Sequence, residues 1–156
     1  MRWVLTRGGG LLVVLLAVFG LIVHGAEHDP NLWHVDPREA PRTGQPNDYL
    51  VGPEDSTAAQ RDRDLTGAPP TPLARFDRVA QQSPRVDVVA GSVDEGFITY
   101  VQRSALMGFP DYISVIAVAG PAGPSIVVWS RSRYGYSDLG VNASRVEEWL
   151  AEAGFG

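Results

Sequence analysis

At 156 residues with a hydrophobic fraction of 44%, the chain has room for one packed domain and not for two. It contains no cysteine, which excludes disulfides, thiol chemistry and Cys-ligated metal. Beyond residue 26, eleven arginines face eighteen acidic residues, and that net −7 argues against nucleic acid as a partner.

Residues 8–23 (GGGLLVVLLAVFGLIV) carry no charge, and Arg2 and Arg7 precede them. A short basic region ahead of an apolar run is the pattern of an export signal. The run is shorter than the ~20 residues a spanning helix prefers. Val23 with Gly25 makes a fair peptidase site and His24 with Ala26 a poor one, so residues 1–26 are read as a signal peptide or, preferably, an uncleaved membrane anchor. With the arginines kept in the cytoplasm, the rest of the chain is expected on the periplasmic side of a bacterial cytoplasmic membrane.

Residues 27–70 hold seven of the twelve prolines and no sustained period of 2 or 3.6. Leu32, Trp33, Val35, Tyr49, Leu50 and Val51 give this stretch apolar anchors, and it is expected to lie on the folded part as an irregular strap. Glu54–Asp64 is polar enough for an exposed loop.

Residues 71–156 are expected to form the regular domain. Thr71 followed by Pro72 starts a helix, since a hydroxyl caps a free backbone N–H and proline lacks only a donor that would be orphaned. Leu73, Phe76, Val79 and Ala80 give that helix one apolar face, and Ser83–Pro84 ends it. Four strand-like runs follow: Val86–Ala90, Phe97–Ser104, Tyr112–Ala119 and Ser125–Arg133. Gly91–Gly96 reads as a hairpin turn, and the run Tyr112–Ala119, apolar on both faces, as central. Val146, Trp149, Leu150 and Ala153 mark a second helix, with Asn142 and Ser144 as candidate caps and Ser144–Glu147 as a capping box. The expected fold is α+β: an N-terminal membrane helix, then helix, four-stranded antiparallel meander and helix, with both helices on one sheet face.

The run from Ser130 to Asn142 (SRSRYGYSDLGVN) resembles the signature of the DUF1499 family, small proteins of bacteria and plastids with undefined function. Gly108-Phe109-Pro110-Asp111 is similar to the family's Phe-Pro-Asp step before its third strand. The resemblance covers roughly Thr71 to Leu150. Family members usually carry Arg directly after the Asn, whereas this chain has Asn142-Ala143 with Arg145 two positions on. The resemblance implies the α+β fold and no particular reaction.

One polar cluster offers chemistry: Arg103, Asp111, Arg131, Arg133, Ser137, Asp138 and Asn142. Arg131 and Arg133 project from one face of a strand, and Arg103 ends another, so three guanidiniums would make a forked site for a carboxylate or phosphate. The competing expectation, which is preferred, is that the aspartates neutralise the arginines and Asn142 caps the last helix. His28-Asp29 and His34-Val35-Asp36 are too isolated to hold a metal, and Trp33 and His34 are expected to pack against the domain or the membrane interface. No nucleophile elbow and no phosphate-binding glycine loop is present in the sequence, so an enzyme is the less favoured expectation and no cofactor is expected. The function expected is that of an accessory or scaffolding protein of a larger membrane complex. The alternative is a small anion- or lipid-binding module built on the arginines.

Overall fold

The computed structural model describes residues 10, 14, 18–20, 25, 27–39, 41, 44–53, 61–62, 71–120 and 123–155. Most of the run 8–23 therefore lies outside the described residues. Of it, Gly10, Val14, Val18, Phe19 and Gly20 are helical, and no helix among the described residues is long and apolar enough to cross a membrane. The expected N-terminal membrane helix is thus not found in the described residues. Of the expected loop Glu54–Asp64, only Arg61–Asp62 is described, and it is extended.

The described chain is α+β, built on a five-stranded antiparallel sheet. A single-turn helix α1 (Pro30–Trp33) and a 3-10 turn at Pro37–Glu39 lead into strand β1 (Asp48–Gly52) and the two-residue β2 (Arg61–Asp62). Helix α2 (Pro72–Gln82) follows, then β3 (Val86–Ser92), β4 (Phe97–Arg103), β5 (Pro110–Gly120), β6 (Gly123–Ser132) and helix α3 (Val141–Glu152). The sheet order is β2-β1-β6-β5-β4-β3, with every pairing antiparallel except β2 against β1.

The four expected strands are present and consecutive, and β5 is the middle strand of the antiparallel five. The sheet holds two strands beyond the four expected, the antiparallel β1 and the two-residue parallel β2. Strand β1 comes from the segment read as irregular strap and pairs with β6 in the register Asp48↔Arg131, Tyr49↔Ser130, Leu50↔Trp129 and Val51↔Val128. Pro46 and Pro53 lie just outside this strand, where a missing N–H costs no ladder bond.

Helix α2 starts as its sequence dictates. The Thr71 hydroxyl accepts the Ala74 N–H at 3.3 Å, Pro72 sits in the first turn, and Ser83 closes the helix. Helix α3 starts differently. Gly140, at φ +83°, precedes its first residue, and Asn142 and Ser144 lie inside the helix rather than at its cap. The Asp138 carboxylate does the capping, accepting the Gly140 and Asn142 amides at 3.0 and 2.7 Å. Glu147 closes no capping box with Ser144; it accepts the Tyr49 hydroxyl.

Leu73, Phe76, Val79 and Ala80 of α2 and Val146, Trp149 and Leu150 of α3 bury against Tyr49, Val51, Ile98, Tyr100, Ile113, Val115, Ile126 and Val128 of the sheet. Both helices therefore cover one sheet face. On the other face Leu50, Val127 and Trp129 form a smaller cluster joined by Val35, and the strap covers the rest.

Candidate functional site

Strand register sorts the seven candidate residues onto two faces. Asp111 pairs with Ser132, while the next rung pairs Tyr112 with Arg131. Successive side chains point to opposite faces, so Asp111 and Ser132 share the helix side, and Arg131 and Arg133 share the strap side with Tyr112. The seven residues do not form one cluster.

On the helix side, Asp111 forms a buried ion pair with Arg145, Nη2 to Oδ2 at 2.7 Å. The same guanidinium donates through Nη1 to Asn142 Oδ1 at 2.8 Å and to Ser130 Oγ at 3.1 Å, and through Nε to Gln102. Asn142 in turn donates to the Ser132 hydroxyl at 3.0 Å and to the Asn47 carbonyl at 3.1 Å. Asp138 and Ser137 sit in the loop before α3, where Ser137 Oγ accepts the Leu139 amide at 3.2 Å. These residues fasten α3 and the β1 entry loop to the sheet. Arg145 is the residue missed in the candidate set, although it sits three residues after Asn142 and hence on the same helix face.

On the strap side the three arginines do converge on one object, and it is the chain's own N-terminal segment. Arg131 Nη2 donates to the Trp33 carbonyl at 2.5 Å, and Arg133 Nη1 donates to the Glu27 carbonyl at 2.9 Å. Arg103 Nη2 lies 2.8 Å from His28 Nε2, and His28 Nδ1 lies 2.8 Å from the Tyr112 hydroxyl. A guanidinium cannot accept, so Nε2 must be the acceptor and the neutral ring carries its proton on Nδ1. Arg133 also reaches the Tyr112 hydroxyl at 3.2 Å. Trp33 stacks on Tyr112 with ring centroids 3.8 Å apart and 6° between planes. His34 stacks on Phe97 at 3.7 Å and bonds Thr99 at 2.9 Å, and Thr99 meets Ser114, which accepts from Arg131 Nη1 at 3.1 Å. Trp33 and His34 thus pack on the domain.

Electrostatics agree with this geometry. Burial pushes the His28 pKa below its ordinary value, and the cations Arg103 and Arg133 push it further, against a small opposing pull from Asp87. Burial likewise lowers His34, opposed by Glu95. Burial pulls the Arg131 guanidinium down to about 9, opposed by Tyr112 and Asp48. Arg131 therefore stays charged at neutral pH. Its guanidinium carbon stands over Trp129, 3.8 Å from the ring centroid.

The His28 contacts have a pH consequence. Its folded-state pKa lies below 6.5, so the stability it contributes as a neutral acceptor is present above 6.5 and lost as pH falls through the lower folded-state value. An imidazolium would present a donor to Arg103 and add a third cation beside Arg133. The strap end at His28 is expected to loosen on acidification. Histidine proton shifts followed by NMR should show His28 titrating below the free-histidine range, with strap amide protection falling in parallel.

The matrix of residues just described belongs to a known family. The family model for DUF1499, described as proteins of unknown function, matches residues 34–152, and the chain belongs to that family. The match begins within the strap, so β1 and the residues that pack under Trp33 are part of the family domain. No curated protein and no solved structure matches the chain.

Proposed function

We propose that this chain is a membrane-anchored accessory or scaffolding protein that faces the periplasm and serves a larger membrane assembly. One observation carries the reading: Arg103, Arg131 and Arg133 all direct donors to the strap, at His28, Trp33 and Glu27. The strap continues the apolar run 8–23, so a domain fastened at its residue 27 is held close to wherever that run is seated. Phe19 lends support, because its ring meets Phe109 edge-on at 5.9 Å at the loop between β4 and β5. Leu106 and Met107 of that loop are exposed and give an apolar surface at the same end of the sheet.

The test is co-purification. The tagged chain, expressed at native level, is pulled from membranes dissolved in mild detergent. A stoichiometric membrane complex is the expected result; recovery of the chain alone contradicts the proposal.

A second reading, a small anion- or lipid-binding module, is favoured by a separate observation. Arg131 is buried and has no carboxylate in ion-pair contact among the described residues. A lone buried cation is costly unless something compensates it.

A further inference from the structure

A groove of about 370 Å³ opens between the strap and the β1–β6 strand pair of the sheet. Trp33, Val35, Trp129, Arg131 and Arg133 are among its walls. Resting on the second reading above, we propose that this groove binds an organic oxyanion, a carboxylate or phosphate head carried on an apolar body, with Arg131 and Arg133 holding the head and the two tryptophans flanking the body.

Three observations support the assignment. The first is the donor count. A guanidinium has five N–H donors, and the hydrogen bonds of Arg131 to Ser114 and Trp33 engage only Nη1 and Nη2, one bond each. Arg131 is 7% exposed, so the remaining donors are largely removed from bulk water, and among the described residues the charge has no anionic partner at ion-pair distance. The second is the indole N–H of Trp33, which is buried and has no hydrogen-bond partner. A native protein rarely leaves such a donor orphaned without use. The third is convergence. The Arg131 and Arg133 guanidiniums lie 5.7 and 5.6 Å from the Trp33 ring centroid, so two cations flank one aromatic wall of the groove. Two guanidiniums beside flat apolar surface suit an anion with a hydrophobic body better than a bare inorganic ion.

Asp48 also lines the groove, but its Oδ2 accepts the Trp129 indole N–H at 3.1 Å. It holds the Trp129 wall in place, and its charge acts on Arg131 from beyond ion-pair distance.

The experiment is calorimetric titration of the full chain in a non-ionic detergent with hexanoate, hexyl phosphate and, as the uncharged control, hexanol. Saturable binding of either anion with none for hexanol is expected. Arg133→Gln and Trp33→Phe should each weaken it by about tenfold, and Arg131→Gln should abolish it. Circular dichroism checks that each variant folds. Should Arg131→Gln unfold, the other two variants decide. Vesicles of anionic against zwitterionic phospholipid separate the sources: preference for anionic vesicles that the same variants remove assigns a lipid headgroup, and binding of the soluble anions alone assigns a free ligand. No anion binding, or equal heat with hexanol, overturns both the groove and the module reading. Anion binding that folded Arg133→Gln and Trp33→Phe leave at full strength overturns the groove and leaves a module elsewhere on the chain.

Discussion

Asp111→Ala is expected to destabilise the domain by about 3–5 kcal/mol, because it strands the Arg145 charge in the interior. Both side chains of the pair are under 10% exposed, at 7% and 9%. Arg145 would keep its bonds to Asn142, Ser130 and Gln102, but none of those partners carries charge. A loss of that size is a large share of the ~5–15 kcal/mol that holds a typical domain together. The urea midpoint measures it. Removing the pair altogether, as Asp111→Leu with Arg145→Met, should recover much of the loss, since two apolar groups of similar size leave no stranded charge. An unfolding free energy for Asp111→Ala within about 0.5 kcal/mol of wild type (the scatter of surface substitutions) would contradict the network described.

Gly91→Ala is expected to cost ~3 kcal/mol or more, through two causes that add. Gly91 has φ +83°, a conformation that L side chains rarely adopt, and an added Cβ would stand 1.9 Å from the Phe97 carbonyl oxygen. That oxygen is backbone of the paired strand β4, so it cannot swing aside. The same Cβ would come within 3.0 Å of His34 Cε1, which rests on Phe97. The substitution should therefore disturb the strap as well as the β3–β4 hairpin. Thermal unfolding gives the first effect, and the His34 ring shifts in NMR give the second. Wild-type behaviour in both would contradict the hairpin geometry.

Local signals in the sequence were legible. Thr71-Pro72 marks the start of α2, and alternation and glycine-rich turns mark β3 to β6, because caps and strand periodicity act within a few residues. The signature around Ser130–Asn142 identified the family. Strand β1 was hidden because five residues between two prolines carry too little periodicity, and only β6 supplies their partner. The site was half legible for a related reason. Placing Arg131 and Arg133 on one face needs only the strand period. Sending Asp111 to the other face needs the β5–β6 register, and a shift of one residue would have reversed it. Asp111 thus finds Arg145, and the three arginines find the strap. The cap of α3 was misread because Asn142 looked like a capping residue by type, whereas the left-handed Gly140 starts the helix early and leaves Asp138 to accept its amides.

Arg103, Arg131 and Arg133 fasten the strap to the sheet, and amide hydrogen exchange tests this most directly. The Leu32 and Trp33 amides donate to the Asp29 carbonyl at 3.1 Å each, and the His34 amide donates to the Pro30 carbonyl at 2.8 Å. A single helical turn of four residues is not stable alone, so protection at these amides reports docking on the sheet. In the full chain they should exchange slowly, and Arg131→Gln with Arg133→Gln should speed them by about tenfold or more while the amides of α2 and β5 stay protected. Fast exchange at Leu32, Trp33 and His34 in the wild-type chain, or rates that the double substitution leaves unchanged, would contradict it.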